Sequence, residues 1–146
     1  MQKLTIKNLI ALAKQFCEQE SKTPSSELFG VTDGKAVGTH IEFKFKDFML
    51  SKYDLQVGSS ASGIDLPSAE INTDIKVTSI KQPQSSCPFK NAQQKIFGLG
   101  YNLLVFVYDK FEKSAESWLF DNFQCFTMAI AIWQNCSAER GYFRNY

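Results

Sequence analysis

The chain is poor in the residues from which most compact catalytic and metal sites are built. It has one histidine, His40, and four scattered cysteines, Cys17, Cys87, Cys125 and Cys136, with no Cys-x-x-Cys pair. That argues against a zinc site, and a chain of 146 residues is no disulfide-stapled miniprotein. A single imidazole does not support mechanisms that need several. No Gly-x-Ser-x-Gly elbow or Walker loop surrounds a nucleophile, so hydrolases of those kinds drop out. The longest nearly apolar run, Phe126 to Trp133, falls far short of the roughly eighteen residues that cross a bilayer. The N-terminus carries no signal-peptide pattern, so the expectation is a soluble, cytoplasmic protein with no membrane partner. Arginine is scarce as well: Arg140 and Arg144 are the only two.

What is present fits one globular domain over residues 1–146. Hydrophobic residues make up 44% and charged residues 21%, typical of chains that fold on their own. At this length about two thirds of the unfolded surface can be buried. Carboxylates and lysines remain for active chemistry, the equipment of a site that takes its electrophile from a divalent metal. The net charge of +1 gives no reason to expect nucleic acid, but the charges are segregated. From Ile75 to Tyr108 there are four lysines, Lys76, Lys81, Lys90 and Lys95, and no acid, directly after Asp65, Glu70 and Asp74. Acids that hold a cation beside bases that hold a phosphate backbone suit a metal-dependent phosphodiesterase. The alternative is an ordinary solvated face.

Periodicity supplies the elements. Ile6, Leu9, Ile10, Ala13, Phe16 and Cys17 recur at helical spacing within Thr5 to Gln19. Lys22 to Gly34 reads as a loop whose Asp33 caps a second helix. In that second segment Val37, Ile41, Phe45 and Phe48 form a helical stripe, yet Ile41, Phe43 and Phe45 also alternate with Glu42, Lys44 and Lys46 as in a strand. Helix is favoured because Phe48, Met49 and Leu50 break the alternation. Ile64-Asp65-Leu66, before Pro67, resembles a strand end. From Ile71 the period becomes two, which puts Asp74 and Lys76 on one face. Pro88 opens a helix that Gly98 and Gly100 stop, and Tyr101 to Tyr108 has the composition of a buried strand. The strands at 71–78 and 101–108, joined by that helix, are expected to be parallel and linked by a right-handed crossover. Trp118 to Trp133 fits neither period.

An acid two residues before a lysine occurs four times, at Glu20, Asp33, Glu42 and Asp74. Only Asp74-Ile-Lys76 lies on a predicted strand, follows another strand end carrying an acid, and leads into a helix and a buried strand. Carboxylates of Asp65 and Asp74 brought a few ångströms apart repel each other, and Mg²⁺ relieves the repulsion while keeping waters and a place for a phosphate oxygen. Lys76 beside them can orient a water or stabilise charge on the phosphate. As a general base it needs a depressed pKa. The plain alternative is a polar strand face with Asp65 capping a turn.

These segments, Gly63-Ile-Asp-Leu-Pro67, Asp74-Ile-Lys-Val-Thr-Ser79 and Gln82-Pro-Gln-Ser-Ser-Cys-Pro-Phe89, resemble the PD-(D/E)xK nuclease superfamily, and within it bacterial type II restriction endonucleases. The resemblance runs from about Asp33 to Lys110. Ile64 stands where the motif's proline precedes the aspartate, and eight residues separate Asp65 from Asp74. The resemblance implies an α/β restriction-endonuclease-like core, a mixed β-sheet flanked by helices in the order helix, three strands, helix, strand. Residues 111–146 form a C-terminal extension of open structure. It further implies Asp65 and Asp74 as metal ligands, Lys76 as the catalytic lysine, and Glu42 as an additional metal-binding acid. The cofactor is Mg²⁺, for which Mn²⁺ can substitute. The implied partners are double-stranded DNA, a second copy of the chain in a homodimer, and a cognate methyltransferase acting on the same site.

Sequence reading by bidentate arginine contacts to guanine has little material here. Lys81, Gln82, Gln84 and Lys90 are the candidate DNA contacts, with Asn91, Gln93 and Gln94 nearby; polar residues on a helix are also commonly just solvated. The twenty aromatics can stack on unpaired bases, but most lie in apolar stripes and read as core. His40 reads as a structural or surface residue. Two other functions stay open: a junction-resolving or repair nuclease on the same core, and a non-catalytic DNA-binding or assembly module, truncated or degenerate.

Overall fold

The computed structural model describes residues 2–58, 63–83, 99–113, 122–134 and 142–145, with side chains described throughout except at Phe123 and 142–145. Helix α1 (Ile6–Lys22) starts where the Thr5 hydroxyl accepts a hydrogen bond from the Asn8 N–H at 3.2 Å. Helix α2 (Gly34–Leu50) starts at Asp33, whose carboxylate accepts from the Lys35 N–H at 3.1 Å. Both lie where the apolar spacing places them. The helix-or-strand ambiguity in α2 is decided by Phe43: a strand would bury it with Ile41 and Phe45, but it is 65% exposed while they are buried. Loop residues 23–33 are tied down by Lys110 Nζ on the Val31 carbonyl (2.6 Å) and by the Gly30 N–H on Glu112 (2.7 Å).

Strands β1 (Gln2–Lys3) and β2 (Tyr53–Asp54) make a short parallel pair. The main sheet runs β3 (Thr73–Ser79), β4 (Asn102–Lys113), β5 (Phe123–Gln134) and β6 (Tyr142–Asn145), in that spatial order. β3 and β4 are parallel, as expected of a crossover unit, and β4–β5 and β5–β6 are antiparallel. The sheet is therefore mixed and flanked by helices, the expected α/β class. The crossover helix predicted over 88–99 lies almost wholly outside the described residues. β5 comes from the stretch that fits neither period, because it changes character along its length. Phe126, Met128 and Ile130 are buried and alternate with exposed Thr127 and Ala129, but from Ile130 to Trp133 both faces are buried.

Leu104, Phe106 and Tyr108 of β4 point to the helices, and Leu103, Val105 and Val107 to the other face. The helix-side core centres on aromatics from three elements. Phe45 packs 4.7 Å from Phe106 and 5.2 Å from Phe16, ring centre to ring centre, and Phe16 also meets Phe48 at 5.8 Å. Edge-on and tilted contacts of this kind suit aromatic quadrupoles. The reading of these aromatics as core holds. A Lys44–Glu20 ion pair at 3.0 Å joins α2 to α1 at their rim. His40 pairs with Glu27 at 2.9 Å, a surface contact in line with its reading as a structural or surface residue. Cys17 and Cys125 are free thiols, and burial pushes the Cys17 thiol up to about 12. Among the described residues no helix is long and apolar enough to cross a membrane.

Phe45 is completely buried at the junction of α1, α2 and β4. Phe45→Ala should therefore destabilise the fold by about 3–5 kcal/mol, read as a fall in the denaturant midpoint. A loss below about 1 kcal/mol would mean that the three elements do not share this core.

Candidate active site

Among the described residues β3 is an edge strand of the main sheet, and its outer edge pairs with the segment before it through one antiparallel bridge. Leu66 and Thr73 exchange both backbone hydrogen bonds, at 2.9 and 3.0 Å. The predicted strand end at 64–66 is thus a single bridge. The chain between them turns tightly: the Ser68 carbonyl accepts from the Ile71 and Asn72 N–H groups, and Asn72 takes a left-handed φ of 39° that asparagine tolerates. Asn72 and Asn102 pin this turn to the start of β4, Asn72 Nδ2 donating to the Gly100 carbonyl and Asn102 Nδ2 to that of Ile71.

In an antiparallel pair the position next to a hydrogen-bonded pair is a non-hydrogen-bonded one, where facing side chains come closest. One step from Leu66–Thr73, that position holds Asp65 and Asp74. Their short separation in sequence therefore places the two acids face to face. Like charges directly opposite are destabilising, so the pair needs partners. Asp65 Oδ2 accepts the Ile75 N–H at 2.9 Å, its Oδ1 accepts Lys46 Nζ at 2.6 Å, and Asp74 Oδ1 lies 3.4 Å from the Asp65 N–H. Asp74 Oδ2 pairs with Lys76 Nζ at 3.0 Å.

This asymmetry splits the two acids. Burial, with the neighbouring Asp65 carboxyl, pushes Asp74 up to about 6 against the pull of Lys76. Burial opposes ionisation of Asp65 too, but hydrogen bonds from Asp74, Lys46 and the Ile75 N–H outweigh it and hold Asp65 below the ordinary carboxylate value. Burial works against the charge on both lysines, and both nonetheless lie above the ordinary lysine value, Lys46 through Asp65 and Glu42 and Lys76 through Asp74. Both are ammonium ions in this arrangement.

Of the candidates from sequence, Asp65, Asp74 and Lys76 are brought together. Glu42 joins them through Lys46, which it meets at 2.6 Å one helical turn along α2. α2 packs on β3 with Gly38 facing Val77, where an added Cβ would stand 3.6 Å from the Val77 side chain, an ordinary contact distance. Glu42 and Lys46 follow Gly38 at four-residue intervals, which carries them along the edge of β3. A cleft of about 190 Å³ opens beside this cluster, lined by Lys35, Thr39, Glu42 and Lys76 among others. Lys81 and Gln82 lie elsewhere, beyond the C-terminal end of β3, on a separate cleft of about 440 Å³. There Lys81 pairs with Asp109 at 3.0 Å. Gln84 and Lys90 fall outside the described residues. The residue that sequence reasoning missed is Lys46; its only signal is the Glu42–Lys46 spacing, which is common on solvated helices.

Two carboxylates facing across a bridge, one of them raised to about 6 by burial and by the other, are a donor pair that a divalent cation suits. Among the described residues no three His, Cys, Asp or Glu side chains converge as a metal cluster, and Lys46 bridges Glu42 and Asp65.

The folded-state pKa of Asp74 lies above its ordinary value of 3.8, so between pH 4 and 6 the folded protein holds the proton that the unfolded chain has released. Stability from this group is lost as pH rises through about 6. In metal-free buffer, Asp74→Asn should therefore gain on the wild type by roughly 2–4 °C in Tm between pH 5 and pH 7.5. A difference that stays flat across that range would show that folding does not raise the Asp74 carboxyl above its ordinary value.

The model of the family "Type II restriction enzyme NspV" matches residues 3–131, a span that includes Glu42, Lys46, Asp65, Asp74 and Lys76. A curated relative, Type II restriction enzyme NspV from Nostoc sp. (strain ATCC 29411 / PCC 7524), is 58% identical over 113 residues. That alignment covers 77% of this chain and 50% of the relative, so the chain spans half the length of the curated relative it matches. No solved structure matches the chain. The resemblance read from the two acids and the lysine thus has a specific home: the chain belongs to the NspV family of type II restriction enzymes.

Proposed function

We propose that this chain carries the phosphodiester-cleaving centre of a metal-dependent type II restriction endonuclease acting on double-stranded DNA. The observation that supports this most is the opposition of Asp65 and Asp74 across the Leu66–Thr73 bridge, with Lys76 two residues on and paired to Asp74. Asp65 and Asp74 would hold Mg²⁺, or Mn²⁺ in its place, with Glu42 the nearest further acid. Bound there, the cation supplies Lewis acidity toward a phosphate oxygen and a water.

The chain's own residues do the rest. Asp65 is ionised already, and Asp74 gives up its proton readily near neutral pH. Lys76 is an ammonium, so the role that fits it is electrostatic: it sets a positive charge at the cleft wall where a phosphate carries growing negative charge. Lys35 and Thr39 line the same cleft and can seat the phosphate backbone. Lys81 and Gln82, at the far end of β3, and Gln84 and Lys90 beyond it in sequence, are proposed to contact DNA away from the scissile bond. Cutting both strands calls for two such centres, hence a homodimer. A restriction enzyme also calls for a methyltransferase that protects the same sequence in the cytoplasm of a bacterial host.

Supercoiled plasmid incubated with the protein and Mg²⁺ should give discrete fragments that EDTA abolishes. Lys76→Ala should slow cleavage by about 10²–10³-fold while leaving the fold intact by circular dichroism. A fixed fragment pattern supports restriction, and cuts that follow branched or damaged DNA would favour a junction or repair nuclease. Plasmid left intact across Mg²⁺ and Mn²⁺ concentrations, with DNA binding that needs no metal, would overturn the nuclease reading in favour of a binding module.

A further inference from the structure

The position of Lys46 is not explained by packing. Its Nζ lies 2.6 Å from Glu42 Oε1 and 2.6 Å from Asp65 Oδ1, bridging an acid of α2 to one of the facing pair. Its side chain is 17% exposed, against 42% for Lys76, so its charge is the less screened of the two. The other oxygen of Asp65 is taken by the Ile75 N–H. Asp65 is therefore already neutralised and hydrogen-bonded at both oxygens by groups of this chain.

We infer that Lys46 is a built-in counter-cation that competes with the divalent metal for Asp65, so that metal binding at the Asp65–Asp74 pair is an exchange of cations. This rests on the proposed metal role of that pair. A doubly charged ion within reach of Asp65 Oδ1 meets an ammonium at the same oxygen, and one of them must yield. Lys46 is anchored on α2 by Glu42 and has a flexible four-carbon stem, so it can swing onto Glu42 alone without moving the helix. Lys46 is thus a positioning residue that sets how much metal the site requires, and it makes no contact with the reacting phosphate.

The test is metal binding without DNA. Mg²⁺ is titrated into wild type, Lys46→Met, Lys46→Gln, Lys46→Arg and Asp74→Asn, and the metal-linked rise in Tm is followed. Lys46→Met and Lys46→Gln should melt lower than wild type without metal, since Glu42 and Asp65 lose their charged partner. They should then reach half of the metal-linked rise at a Mg²⁺ concentration at least about tenfold lower. Lys46→Arg should stay near the wild type. Lys46→Gln keeps a donor toward both carboxylates, so it carries the test if Lys46→Met does not fold. An unchanged or higher Mg²⁺ midpoint in the neutral variants, with the wild type responding and Asp74→Asn not, overturns the exchange and leaves Lys46 a structural strut. No response in any protein removes the metal reading of the pair, and this inference with it.

Discussion

The Leu66–Thr73 bridge is a small interaction, two backbone hydrogen bonds at the edge of one strand, yet it determines which side chains face each other one step away. It sets Asp65 against Asp74 at the closest spacing that an antiparallel pair allows. A different register would send one carboxylate to the opposite face, and neither would perturb the other. The price of the pairing is electrostatic, and the surroundings divide it unequally. Asp65 receives the main-chain donor and Lys46, and Asp74 keeps its proton to a higher pH. Two acids of one type in one place thus come to differ in protonation, a pattern typical of sites that do chemistry.

The rest of the fold holds that edge in place. β3 is backed by β4 in parallel register from Thr73 to Ser79, and β4 is in turn paired with β5 from Leu103 to Lys113. The aromatic contacts of Phe16, Phe45 and Phe106 hold α1 and α2 on this sheet, and the Gly38–Val77 approach fixes how near α2 comes to β3. From α2, Lys46 reaches both Glu42 and Asp65 at 2.6 Å. Core packing and site geometry are therefore linked through one helix.

Much of this was legible in the sequence, for identifiable reasons. α1 and α2 announce themselves by apolar spacing and by the caps Thr5 and Asp33, signals that act within a few residues. Asp65, Asp74 and Lys76 were legible because strand alternation and the short connection between the acids are local too. Two features were not. β5 begins with one face exposed and ends with both buried, and no single period describes it. Lys46 looks like any solvated helix lysine, because what distinguishes it is the tertiary approach of α2 to Asp65. In the strand reading of α2, Lys46 was merely one of the alternating polar residues.

The proposed role of Asp65 and Asp74 is to hold a divalent cation together. Loss of the free-ion Mn²⁺ electron paramagnetic resonance signal on adding protein counts bound ions directly. The account predicts one class of site in the wild type that disappears in both Asp65→Asn and Asp74→Asn, with each variant folded. Equal Mn²⁺ binding by the wild type and the two variants would contradict it.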